Sequence, residues 1–110
     1  MMKLIIAIVH KRDQEKVMDA LSASGHRFTN IATTGGFLHD GNTTLLIGCE
    51  HDAVDEIVSI IKQTCSTREQ YVTQPISGAY ESGNMTMPPL KLSVGGAVIF
   101  VVDVERFESA

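Results

Sequence analysis

A chain of 110 residues, 44% of them hydrophobic, is sized for one compact core, and the smallness of that core makes oligomerisation a natural supplement. A formal charge of −4 excludes the basic face that long DNA or RNA demands, while leaving open a small anionic ligand held by one or two local cations. Aromatic residues make up 5% and tryptophan is absent, so the core must be aliphatic.

In chain order, Leu4–Val9 is a continuous β-branched run and predicts a central strand, buried on both sides or lying at an interface. Met1–Val9 is far too short for a signal-peptide core or a membrane span, and no other apolar run approaches ~18 residues. Asp13 reads as an N-cap; Val17, Met18 and Leu21 follow at helical spacing, and Gly25 stands where a C-cap glycine belongs. Arg27–Thr33 returns to strand character, 34–42 is a glycine-rich connector, and Thr43–Cys49 is a second β-rich run that pairs with it in a hairpin-like way. Asp52 reads as the cap of a second helix, whose Val54, Ile57, Val58, Ile61 and Cys65 keep the 3.6-residue period. A short strand is expected over Gln70–Thr73. The stretch 74–89 holds all three prolines and reads as a long loop. Leu90–Val94 alternates, Gly95-Gly96 interrupts as a bulge or a close backbone approach, and Ala97–Val104 is another buried strand.

This order predicts an α+β, ferredoxin-like βαββαβ sandwich: a four-stranded antiparallel sheet with both helices on one face. The strands nevertheless read as apolar on both faces, so the second face calls for a partner, and self-association is the simplest one. Cys49 and Cys65 are the only cysteines and have no CxxC spacing, which points away from a disulfide framework and toward a cytoplasmic location.

The chemistry concentrates in Ala32-Thr33-Thr34-Gly35-Gly36-Phe37-Leu38 and Gly41-Asn42-Thr43-Thr44. Paired glycines let backbone N–H groups crowd an anion, Phe37 offers a face for a base, and Asn42 carries a donor and an acceptor on one amide. Together these suggest a nucleotide site. Taken singly, each has a plainer reading: Gly35-Gly36 as a turn, Phe37 as core, Asn42 as a turn residue, Arg27 as a strand-edge charge. His10, His26, His39 and His51 fall at separate element ends without metal-ligand spacing and read as surface or capping residues. Nothing resembles a nucleophile–base pair, clustered carboxylates or a Walker-type lysine, so no enzymatic activity is expected.

Met2–Val9, Ala32–Leu38, Gly41–Thr44 and Val94-Gly95-Gly96-Ala97 resemble the P-II-like cyclic-di-AMP receptors, called PstA or DarA. The resemblance covers nearly the whole chain and implies one P-II-like domain over 1–110. It further implies a homotrimer with its sheets facing inward, and a ligand site at each subunit interface. Carried over residue by residue, it places the ligand at Arg27, Thr29, Gly36, Phe37, Leu38, Asn42 and Gly48, with Gly35 in the same bend and Gly95, Gly96 and Phe100 nearby. Arg27 would oppose a phosphate or lie on adenine, Phe37 and Leu38 would sandwich the base, and Thr29 and Asn42 would bond base edges. The chain departs from the family pattern at Gly25, where an Asn is common, in the loop at Ile76–Asn84, and in the tail Phe107–Ala110.

The leading expectation is therefore a trimeric signal-transduction receptor of cyclic di-AMP whose loops at 34–42 and 74–89 change order on binding. One alternative is a P-II-like sensor of ATP or another adenine nucleotide, disfavoured because triphosphate recognition wants more cations than Arg27 and Lys91. The other is a divalent-cation-binding trimer like the divalent-cation-tolerance proteins, resting on scattered His and Cys. A downstream protein partner is implied but not named by the sequence.

Overall fold

Strand β1 (Met2–His10) runs through the middle of the molecule because its alternate residues Ile5, Ala7 and Val9 are wholly buried. The computed structural model describes residues 1–33, 41–66, 68–72 and 90–110. After β1 come α1 (Gln14–Ala23), β2 (Thr29–Thr33), β3 (Asn42–Glu50), α2 (Val54–Cys65), β4 (Arg68–Val72), β5 (Leu90–Val94) and β6 (Ala97–Asp103). The four-stranded sheet has the order β2-β3-β1-β6, every neighbour antiparallel, which is the expected split-βαβ arrangement. Among the described residues β4 and β5 pair only with each other, so the short strand expected from Gln70, which begins at Arg68, forms a separate ribbon with Leu90–Val94.

The register sorts the side chains. Ile5, Ala7 and Val9 stand opposite Ile47, Leu45 and Thr43 on one flank and Val101, Ile99 and Ala97 on the other. This face packs against Val17 and Leu21 of α1 and Ile57, Ile61 and Cys65 of α2, forming one aliphatic cluster. The opposite face carries Leu4, Ile6, Ile8, Leu46 and Val98, all half-buried, with Ile31, Phe100 and Val102 exposed at 43%, 44% and 42%. No helix covers it. A row of apolar side chains in water forgoes the burial free energy of about 25 cal/mol per Å² that drives association.

The N-cap of α1 falls on Asp13 as read, and that of α2 one residue beyond Asp52. A 3₁₀ turn precedes each helix, over Lys11–Asp13 and His51–Ala53. Asp13 stands at the N-cap position of α1 but makes no side-chain cap bond; it is 1% exposed. His10 caps the turn instead, its Nδ1 accepting from the Arg12 amide at 3.2 Å. Asp52 lies within the second turn, and the N-cap of α2 is Ala53. The extra turn moves each helix start past the aspartate or onto it in a non-extended conformation, and a capping side chain needs extended backbone to reach the following amides.

The end of α1 follows expectation. Gly25 adopts φ +80°, its amide donates to Ser22 O at 3.0 Å, and the His26 amide donates to Leu21 O at 2.9 Å. That is a Schellman motif, and it turns the chain sharply toward β2. Gly95 and Gly96 also take positive φ, +83° and +96°, and let the chain leave the β4–β5 ribbon for the main sheet. The Gly96 amide donates to the Cys65 carbonyl, satisfying one of the unpaired acceptors at the end of α2. The glycine pair is thus a close backbone approach.

Candidate functional site

The Schellman turn delivers Arg27, Phe28 and Thr29 to the edge of the sheet, where Thr29 pairs with Leu46 of β3. Two residues along β3 stands Gly48. Nothing lies within 4 Å of where a Cβ would sit on it, so its backbone faces open space. Around this edge is a cavity of about 400 Å³ lined by Met2, Arg27, Phe28, Thr29, Leu46, Gly48 and Phe107. Its volume falls within the range of small-ligand sites. Its walls combine one guanidinium, one hydroxyl, apolar surface and an accessible backbone, which suits a flat heterocycle bearing an anion.

Arg27, Thr29 and Gly48 thus line one cavity. The other candidates are not in that cavity. Asn42 opens β3 and is not part of the connector: it pairs with His10 on one side and Thr33 on the other and is 6% exposed. Six residues of extended strand, about 20 Å, separate it from Gly48. Its Oδ1 is buried and, among the described residues, has no hydrogen-bond partner. Gly41, with φ +92°, precedes it, and the Gly41 carbonyl accepts from the Lys11 amide at 3.2 Å. Next to it, the Thr43 hydroxyl donates to Gln14 Oε1 at 2.6 Å, fixing the start of β3 against α1. Gly35, Gly36, Phe37 and Leu38 lie outside the described residues, as does the loop expected at 74–89.

Phe100 shares a row with Thr29 on the uncovered face, through Leu46 and Ile6. Three strand spacings, about 14 Å, keep them apart. Gly95 and Gly96 stand at the far end of β6, and Gly96 lines a second cavity of about 390 Å³ with Lys62, Cys65, Ser66, Ala97 and Ile99. Within one protomer the candidate set is thus split between the two edges of the sheet.

The residues that the sequence reading did not single out are Met2, Phe28, Leu46 and Phe107. The available signal was Phe107 itself, an aromatic inside an otherwise polar tail. Glu108, whose charge would oppose an anionic ligand, is paired with Arg106 at 2.8 Å. The His26 ring bonds Glu56 Oε2 at 2.9 Å, tying the connection that carries Arg27 to the first turn of α2. Among the described residues, no group of three or more His, Cys, Asp or Glu is placed to hold a metal ion. Burial, reinforced by the neighbouring Glu50, pushes the Cys49 thiol up from its ordinary value. Among the described residues, no helix is long and apolar enough to cross a membrane.

Comparison with known proteins places this geometry in context. A family model described as cyclic-di-AMP receptor matches residues 2–110. The chain is 35% identical over 96 residues to a nitrogen fixation nifHD region GlnB-like protein of Methanothermococcus thermolithotrophicus, covering 72% of this chain and 91% of that one. A functionally unknown protein from Pediococcus pentosaceus, known as a crystal structure, superposes with a TM-score of 0.78 at 38% identity over 99% of this chain and 97% of that one. The PII protein of Arabidopsis thaliana, crystallised with citrate, shares the fold with a TM-score of 0.61 at 18% identity, over 94% and 74% of the two chains.

Proposed function

This chain belongs to the cyclic-di-AMP receptor family and has the P-II fold, and from that premise we propose that it binds cyclic di-AMP between the subunits of a homotrimer and acts in signal transduction. The observation that carries the reading is the division of the candidate residues between two sheet edges, beside an apolar sheet face that no helix covers. Arg27, Thr29 and Gly48 flank the β2 edge; Phe100, Gly95 and Gly96 belong to the β6 side. A neighbouring copy, its sheet turned toward the same threefold axis, supplies the missing half to each cavity. Gly35, Gly36, Phe37, Leu38 and Asn42 stay assigned to the ligand through the family resemblance, and the Asn42 Oδ1, without a partner among the described residues, is the acceptor it offers to a purine amine.

The roles are those of a binding protein. Arg27 supplies charge to a phosphate and Thr29 a hydroxyl to a base edge; the open backbone at Gly48 lets the ligand approach closely. One guanidinium matches a cyclic dinucleotide, whose phosphates each carry a single charge, better than a triphosphate. The connections between β2 and β3 and between β4 and β5 carry the signal to a partner protein.

Isothermal calorimetry with cyclic di-AMP tests the reading. Saturable heat at one ligand per protomer is expected, with Arg27→Ala at least about tenfold weaker and ATP a poor competitor. Absence of heat and of retention at about 100 μM ligand overturns it.

A further inference from the structure

Phe107 has no place in the core: it is 67% exposed, on a tail segment that follows the last strand. Its position is nonetheless fixed from both sides. Three residues earlier, the Val104 amide donates to the Met2 carbonyl at 3.1 Å, so the tail leaves the sheet alongside the start of β1. On either side of it, Arg106 and Glu108 bond each other at 2.8 Å, and two residues that meet across an intervening one turn that one away from themselves. The ring is left on the rim of the 400 Å³ cavity with Arg27, Thr29, Leu46 and Gly48, and Met2 from the chain's other end joins it there.

We infer that Phe107 is an aromatic wall of this cavity, against which a purine base of the bound cyclic dinucleotide stacks while Arg27 meets its phosphate. This rests on the receptor reading above and adds to it a residue that chooses bases over other anions. An exposed single phenylalanine needs no explanation by itself. Beside a lone cation and an accessible backbone, in a cavity sized for one nucleoside, a flat hydrocarbon face is what a purine requires. Stacking tolerates any base, because every base has a π-face, while the Thr29 hydroxyl and the backbone at Gly48 set the edge contacts. Glu108 pairs with Arg106 in solvent and is not among the residues lining the cavity.

The absence of tryptophan from the chain makes the test specific. Phe107→Trp introduces the only indole, and a stacked purine quenches its emission. Titrating cyclic di-AMP into this variant is expected to give saturable quenching that tracks the calorimetric isotherm. Phe107→Ala is expected to bind about tenfold or more weakly, and Phe107→Tyr to return to within about threefold of the unsubstituted protein, all three variants keeping its oligomeric mass by light scattering. Three results overturn the inference: a Phe107→Trp variant that binds without quenching, a Phe107→Ala variant that binds as tightly as the unsubstituted protein, or a Phe107→Ala variant whose oligomeric mass falls, which makes the ring an interface residue. Absence of heat with the unsubstituted protein overturns the receptor reading itself; heat there together with any of those three results removes Phe107 alone.

Discussion

Lys3 and Asp103 are direct cross-strand partners on β1 and β6, and their side chains form an ion pair at the margin of the sheet. The hydrogen bond from Lys3, and then its charge, hold the Asp103 carboxyl below its ordinary value of 3.8. A carboxyl whose folded-state pKa is depressed contributes stability that is complete above the ordinary value and is lost as the pH falls through the lower folded one. Asp103 is solvent-exposed, so the effect belongs to the titration curve more than to overall stability. Lys3→Met is expected to move the Asp103 midpoint back up toward 3.8, measured by carboxyl carbon NMR across an acid titration. A midpoint that stays in place assigns the depression to another source.

At the scale of elements, local patterns were legible wherever local physics decides. α2 was readable because Ile57, Ile61 and Cys65 repeat at helical spacing and are all buried. Asp13 holds the N-cap position it was read into, without the capping bond, whereas Asp52 was misread because a preceding 3₁₀ turn leaves the same composition as a capped start. The β4–β5 ribbon was not readable as separate, since a strand's propensity does not name its partner. The site followed the same division: Arg27, Thr29 and Gly48 came from a motif resemblance and converge on one cavity, while Phe107 belongs to that cavity through the path of the tail, which no local pattern encodes. Gly25 shows how a local device serves the site. Nothing lies within 4 Å of a Cβ built there, so its need for glycine is conformational rather than spatial. Asparagine, common at this position in the family the sequence resembles, is the other residue that tolerates the left-handed conformation. Gly25→Ala is therefore expected to lose about 1 kcal/mol in urea unfolding and Gly25→Asn clearly less. Equal losses would mean that the asparagine side chain gains nothing from its local hydrogen bonding. Because Arg27 lies two residues beyond this turn, the same pair also reports on binding: the alanine variant is expected to weaken cyclic di-AMP more than the asparagine one.

For the whole molecule, the decisive fact is that the sheet has one face packed by helices and one apolar face without them. Ile6 sits near the middle of that second face, opposite Leu46 on one side and Phe100 on the other. It is half-buried in the protomer and makes no part of the helix-side core. A charge there leaves the protomer's own packing largely untouched but makes burial of the face against a second copy costly, because an ionised carboxylate must shed its water. Ile6→Glu is therefore expected to keep the far-UV circular dichroism of the unsubstituted protein and to sediment as a single chain of 12.0 kDa, whereas the unsubstituted protein is expected at three times that mass. Binding follows assembly on the proposed reading, since Thr29 and Phe100 of one protomer stand at opposite edges of the sheet. Cyclic di-AMP is then expected to raise the melting temperature of the unsubstituted protein with ligand concentration, by the linkage term for a ligand that binds only the folded assembly, and to leave Ile6→Glu unmoved. A variant that stays monomeric yet shows the same thermal shift would place the whole site inside one chain and separate ligand recognition from the uncovered face.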